Sequence, residues 1–177
     1  MKKNYSAFIA TSLDGFIAKL DGNIDWLHRD YGKLEKGEDC GFTHFMSSRD
    51  FLLMGRKTYE QVCSSNEWPY SIPVGILSSV SHQDNQHAIA TFRTFDDAIN
   101  FINKQSYSSI YVDGGVTISH LLKLKILNEI TITYIPILLG QGYRLFNNLP
   151  SIDFSTQLVQ SKSFPNGFTQ SHYKILY

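Results

Sequence analysis

Excess charge is the first thing this sequence lacks. Lys plus Arg and Asp plus Glu number 16 each in 177 residues, so the formal net charge is zero. Nucleic acid and anionic membrane both select clustered positive charge, and neither is expected as a partner. Charged residues make up only 18% of the chain and no long polar tract occurs, which excludes a disordered protein. Cysteine is nearly missing. Cys40 and Cys63 form no Cys-x-x-Cys pair, which speaks against a disulfide scaffold and for a reducing compartment with packing roles for both thiols. No stretch approaches the roughly 20 apolar residues of a membrane span. The apolar start from Tyr5 is broken at Thr11, Ser12 and Asp14, too early for a signal peptide. A cytoplasmic protein is expected. His28, His44, His82, His87, His120 and His172 form no His-x-x-x-His or His/Cys cluster, so no metal is expected. No Gly-x-Ser-x-Gly elbow surrounds Ser12, Ser78 or Ser79, and no Gly-x-Gly-x-x-Gly fingerprint is present.

What remains is material for a core. Apolar residues are 42% and aromatics 14%, and the length suits one domain built on one core. Short apolar runs recur at Tyr5–Ala10, Phe51–Met54, Val74–Leu77, Ala88–Thr91, Ile110–Val112 and Ile130–Leu139. They are too short for helices and mostly do not alternate, as suits strands covered on both faces of a mainly parallel sheet. Helical spacing lies between them: Phe42, Phe45 and Met46; a segment from Thr58, with Thr58 and Gln61 spaced as a capping box; Asp97–Lys104, with Thr94 as its cap; and Val116–Leu124. This alternation predicts a layered α/β fold. Pro165-Asn166-Gly167 predicts a turn between two terminal antiparallel strands, Leu158–Ser163 and Phe168–Leu176. Most of Asp21–Asp39 reads as a long loop, a feature usually tied to function.

Four segments at strand ends carry chemistry. Ala10-Thr11-Ser12-Leu13-Asp14-Gly15-Phe16-Ile17-Ala18 follows the first strand, where it serves either a ligand or a plain Asp-Gly turn. Gly55-Arg56-Lys57-Thr58 places a glycine and two cations at a helix start. Cations there oppose the helix dipole unless an anion joins them. Asp113-Gly114-Gly115-Val116-Thr117 repeats the strand, glycine, helix pattern, suited to a pyrophosphate or to a tight turn. Leu77-Ser78-Ser79 ends a further strand with two hydroxyls. Parallel strands bring such ends to one edge, where together they describe a long phosphate-bearing ligand.

Ala10-x-Ser12-Leu13-Asp14-Gly15-x-Ile17-Ala18, Met54-Gly55-Arg56-Lys57-Thr58-Tyr59-Glu60, Val112-Asp113-Gly114-Gly115 and Pro136-Ile137-Leu138-Leu139-Gly140-x-Gly142, in that order, resemble the dihydrofolate reductase superfamily. The branch they look closest to is that of the reductase domain of riboflavin biosynthesis. The resemblance implies a three-layer α-β-α fold around a mostly parallel eight-stranded mixed sheet, a homodimer, and NADPH as cofactor. It implies that Ala10, Ile17 and Ala18 cover the nicotinamide and that Gly55, Arg56, Lys57 and Thr58 hold phosphate. Leu77, Ser78 and Ser79 then line the adenosine, with Arg56 and Ser79 near the 2′-phosphate, and Asp113, Gly114, Gly115, Val116 and Thr117 hold the pyrophosphate. Asp39, by count from Gly55, takes the place of the catalytic acid or of an N-cap, with its pKa raised by desolvation in the first role. Trp26, Asp39 and Phe42 border the substrate. His-x-Glu and Pro-Cys-x-x-Cys, the marks of a deaminase half, do not occur. The expected activity is hydride transfer to a small heterocycle, an aminopyrimidine ribose phosphate or a pterin, against a module that binds a nucleotide without turnover.

Overall fold

The computed structural model describes residues 2–32, 34–35, 37–64, 67–80, 86–147, 149 and 153–177; His82 lies outside them. Its frame is an eight-stranded sheet in the order β5-β4-β3-β6-β1-β7-β10-β9. These strands are β1 (Asn4–Ser12), β3 (Phe51–Gly55), β4 (Val74–Leu77), β5 (Ala90–Phe92), β6 (Ser109–Asp113), β7 (Leu127–Ile135), β9 (Ser155–Ser163) and β10 (Thr169–Leu176). The pairs from β5 across to β7 are parallel, and β10 adds antiparallel to β7 and β9. The fold class expected from the alternating pattern is the one found, including the terminal antiparallel pair.

Among the described residues four helices cover the sheet. They are α1 (Phe42–Met46), α2 (Arg56–Cys63), α3 (Phe95–Lys104) and α4 (Gly115–Lys123). Strand side chains alternate between the two faces. Ile110 and Val112 of β6 meet Ala98 and Ile102 of α3 and Ile118 and Leu121 of α4 in one buried cluster. Leu52, Met54 and Tyr111 face the other way, with Val74 and Ile76, under Tyr59 of α2 and Phe42 and Phe45 of α1. Placing α1 and α2 on one face and α3 and α4 on the other follows from right-handed crossovers that step toward β5 and then back.

Several boundaries differ from the sequence reading, each for a local reason. α2 starts at Arg56 with Gly55 as N-cap and no side-chain cap. Thr58 is thus inside the first turn, and the expected Thr58–Gln61 capping box does not form. Thr94 does cap α3, in a full box with Asp97. β7 stops at Ile135 rather than Leu139, since Pro136 lacks a backbone donor for the ladder. A small second sheet pairs β2 (Phe16–Ala18) with β8 (Tyr143–Arg144). Among the described residues of 21–39 there is one 3-10 turn, Asp25–His28.

Candidate active site

The carboxyl ends of β4, β3 and β6 are level. Gly55 pairs with Leu77 and Met54 with Asp113. The turns at 55, 78 and 114 therefore stand side by side on one edge, while β1 runs on to Ser12 beside them. α2 and α4, which leave this edge after β3 and β6, bring their starts into contact. A Cβ on Gly114 would fall 2.5 Å from Thr58 Oγ1, and one on Gly55 would fall 3.5 Å from Thr117 Oγ1. Gly114 has φ +89°, a conformation that only glycine adopts at little cost. Both helices have glycine N-caps, no side-chain cap and no acidic residue in the first turn. α3, which starts from the outer end of the same edge after β5, is fully capped and acidic at its start. Two adjacent helix starts with donors left for an outside acceptor make a place for phosphate.

The paired glycines divide their work. A Cβ on Gly115 would meet the Leu145 and Arg144 carbonyls at 2.9 and 3.0 Å and Ile17 Cδ1 at 3.0 Å. Gly115 is thus needed for the close passage of the β8 segment and the first loop. That loop is an Asp-Gly turn whose far arm is β2. Asp14 stitches it to the segment after β7, its Oδ1 accepting from Leu139 N at 3.2 Å and its Oδ2 from Gly140 N at 2.7 Å. These hydrogen bonds, with one from Ser12, hold the Asp14 carboxyl below the usual carboxylate range. Above α2, Lys57 Nζ donates to Tyr143 Oη at 3.3 Å and lies over its ring. Arg56 Nη1 pairs with Glu60 Oε1 at 2.8 Å on an exposed surface. Val116 is exposed, Thr117 buried and Leu77 half-buried. Ser78 Oγ is committed to a local turn, donating to Val80 O at 2.7 Å, whereas Ser79 is exposed.

On the α1 side of the same edge stands Asp113. Strand alternation turns it to the face of Tyr111, away from α4. Its Oδ1 accepts from Gly114 N at 2.8 Å. Burial pushes its carboxyl up to about 6, against the pull of the Gly114 amide and the Tyr111 hydroxyl. Phe8, Phe42, Phe45, Tyr70 and Tyr111 form a contiguous aromatic group beside it.

The RibD C-terminal domain family model matches residues 6–169. The chain belongs to the RibD C-terminal domain family. Membership puts it among reductase-type oxidoreductase domains with a dihydrofolate-reductase-like fold. A crystal structure from Shewanella sp. PV-4, assigned by name to riboflavin biosynthesis, is 36% identical with TM-score 0.87 and covers 98% of this chain and 99% of that one. The bifunctional deaminase/5-amino-6-(5-phosphoribosylamino)uracil reductase of Thermotoga maritima shares the fold at TM-score 0.72 and 14% identity, over 99% of this chain and 57% of that one. The Bacillus subtilis protein YwjB, itself uncharacterized, is 32% identical over 98% of both chains.

Within this RibD-type domain two expected site residues sit differently from the sequence reading. Asp39 is exposed, and its carboxylate accepts from Gly41 N at 2.9 Å and Thr43 N at 2.7 Å. Hydrogen bonding to Thr43 outweighs desolvation and holds its pKa low, where a raised value was expected. Trp26 is completely buried, with Nε1 lacking a partner among the described residues. Phe42 is half-buried against Phe8 and Tyr111. The sequence reading missed Tyr111, Tyr70 and the burial of the Asp113 carboxyl; the alternation Ile110-Tyr111-Val112-Asp113 was the signal that could have found it. It also missed Tyr143 over Lys57, because β8 is only two residues long. Among the described residues no group of His, Cys, Asp and Glu is spaced to hold a metal, and no helix is long and apolar enough to cross a membrane.

Proposed function

We propose that this protein is an NADPH-dependent reductase of a small heterocycle, with an aminopyrimidine ribose phosphate as its substrate class. The observation that carries the reading is the contact between the uncapped starts of α2 and α4, with Thr58 and Thr117 between them. That arrangement fits a dinucleotide's phosphates. Gly55, Arg56, Lys57 and Thr58 hold them from α2, and Gly114, Gly115, Val116 and Thr117 from α4. Ala10, Ile17 and Ala18 wall the nicotinamide side, while Leu77, Ser78 and Ser79 border the adenosine. Phe42 lies toward the substrate. When bound, NADPH supplies the hydride.

Reduction of a C=N or C=O bond also consumes a proton. Asp39 spends its carboxylate on backbone amides, and its low pKa keeps it ionised. We therefore assign the proton to Asp113, whose half-buried carboxyl stands at the edge with its pKa near 6. A cytoplasmic location is inferred from the free thiols of Cys40 and Cys63. A homodimer is inferred from β9, an outer strand whose residues are all exposed.

The test is NADPH and NADH titration, followed by NADPH oxidation with aminopyrimidine ribose phosphates, pterins and flavin precursors. The exposed Arg56–Glu60 pair is worth only about 0.3–0.5 kcal/mol, so Arg56 is cheaply released to a 2′-phosphate. Arg56→Ala is expected to weaken NADPH binding about tenfold, equivalent to about 1.4 kcal/mol, and to leave NADH binding unchanged. Equal losses for both nucleotides would remove Arg56 from the 2′-phosphate. Failure of the native protein to bind either nucleotide at millimolar concentration would end the reading.

A further inference from the structure

Asp113 does not stand alone at the edge. Tyr111, two residues earlier on the same face of β6, is buried, and its hydroxyl donates to the Phe8 carbonyl of neighbouring β1 at 3.1 Å. Asp113, two residues on, lies on the same face of β6, and the Tyr111 phenol bears on the Asp113 carboxyl as the Tyr70 phenol bears on Tyr111. Tyr70, from the segment before β4, sets its ring edge-on to Tyr111 with centroids 6.3 Å apart. A phenol has one proton to give. While Asp113 carries its own proton, that of Tyr111 belongs on Phe8. Once Asp113 ionises, a bare carboxylate next to a phenol draws the proton away from a neutral carbonyl, because charge-assisted hydrogen bonds are about twice as strong.

We propose that Tyr111 is a positioning residue that pivots its hydroxyl between the Phe8 carbonyl and the Asp113 carboxylate, so that Asp113 can release a proton and be left stabilised. The proposal rests on the acid role assigned to Asp113 above. No bond to carbon is made or broken at Tyr111: only its O–H changes acceptor, and Asp113 regains its proton from solvent after each cycle. Among the described residues, the titratable groups that bear on Asp113 are Tyr111 and Tyr70. Burial raises both phenols above their ordinary range, so each stays neutral and available as a donor while Asp113 titrates.

The pivot is readable in the free protein, without cofactor or substrate. In protein carrying 13C at tyrosine Cζ and at aspartate Cγ, the Tyr111 resonance is expected to inflect at the same pH as Asp113, near 6. Asp113→Asn is expected to abolish that inflection. Tyr111→Phe keeps the ring and removes the hydroxyl. It is expected to move the Asp113 midpoint upward by about one pH unit, the worth of a lost hydrogen bond to a charged group. In turnover, Tyr111→Phe is expected to shift the fall-off of kcat to higher pH and to lower the acid plateau, with KM for NADPH unchanged. A flat Tyr111 resonance through the Asp113 transition overturns the proposal, as does an Asp113 midpoint that stays or falls in Tyr111→Phe. Failure to oxidise NADPH would overturn the reductase reading and leave the NMR result standing, so the two are separable.

Discussion

Asp113 joins two kinds of pH dependence in one carboxyl. Its pKa in the fold, about 6, stands above the ordinary 3.8. The folded protein thus keeps a proton that the unfolded chain gives up between about pH 4 and pH 6. Stability conferred by that proton is complete below this window and is lost as pH rises through it. Allowing for partial exposure, the loss amounts to about 2 kcal/mol. Asp113→Asn is expected to remove this slope, so that urea midpoints at pH 4.5 and pH 8 move together relative to the wild type, and to cut kcat about a hundredfold, the low end of what a positioned acid supplies. Dinucleotide affinity is expected to be unchanged. A variant that keeps full turnover, or the same pH slope in urea, would return Asp113 to a turn-forming role. Asp39 makes the opposite case. Its pKa is lowered by the hydrogen bonds it accepts, so its contribution is present at neutral pH and fades only as pH falls through that low value.

At the scale of elements, the candidate site is roofed by short pieces that the chain holds in place with backbone contacts. β8 crosses so close to β2 that a Cβ on Gly142 would fall 2.2 Å from the Ala18 carbonyl. No rotamer relieves a clash with backbone. Gly142→Ala is expected to push β8 off β2 and to cost about 2–4 kcal/mol, in the range of overpacked and strained positions. It should also weaken NADPH binding, since Tyr143 would leave Lys57. Thermal denaturation with and without NADPH checks both parts; unchanged stability would show that β8 is free to move. This roof was the least legible part of the sequence. A two-residue strand has no periodicity to detect, and the hydrogen bonds from Leu139 and Gly140 to Asp14 join residues about 125 apart. The sheet was legible because each strand carries its own apolar run, and the runs at 51–54, 74–77 and 110–112 lie inside β3, β4 and β6. The turns at the carboxyl edge were legible for the same reason, since Gly55 and Ser78 follow their runs directly and Gly114 comes one residue later. Asp39 shows in the sequence only as a carboxylate near a helix start, and the burial that raises the Asp113 carboxyl arises only in the folded sheet.

Across the whole molecule the helices cover the middle of the sheet and leave its β9 edge bare. All nine residues of β9 are exposed, including Leu158 and Val159. Proteins usually blunt such edges with charge, proline or a covering element. β9 has no proline and a single charge, Lys162, which is already paired with Glu38 at 2.7 Å. Only the irregularity opposite His172 and Tyr173 disturbs its ladder. An edge this long and this neutral has open backbone donors and acceptors that a second β9 can satisfy by antiparallel addition across a two-fold axis. Placing lysines at Leu158 and Val159 in both copies puts like charges together on that seam. Native protein is therefore expected to sediment as a dimer at micromolar concentration, and the Leu158→Lys, Val159→Lys double variant as a monomer with the same NADPH affinity. That affinity should survive because the phosphate edge lies at β4, β3 and β6, with β1, β7 and β10 between it and β9. Native protein that sediments as a monomer would dismiss the dimer, and a dimer that persists in the double variant would move the interface to another face.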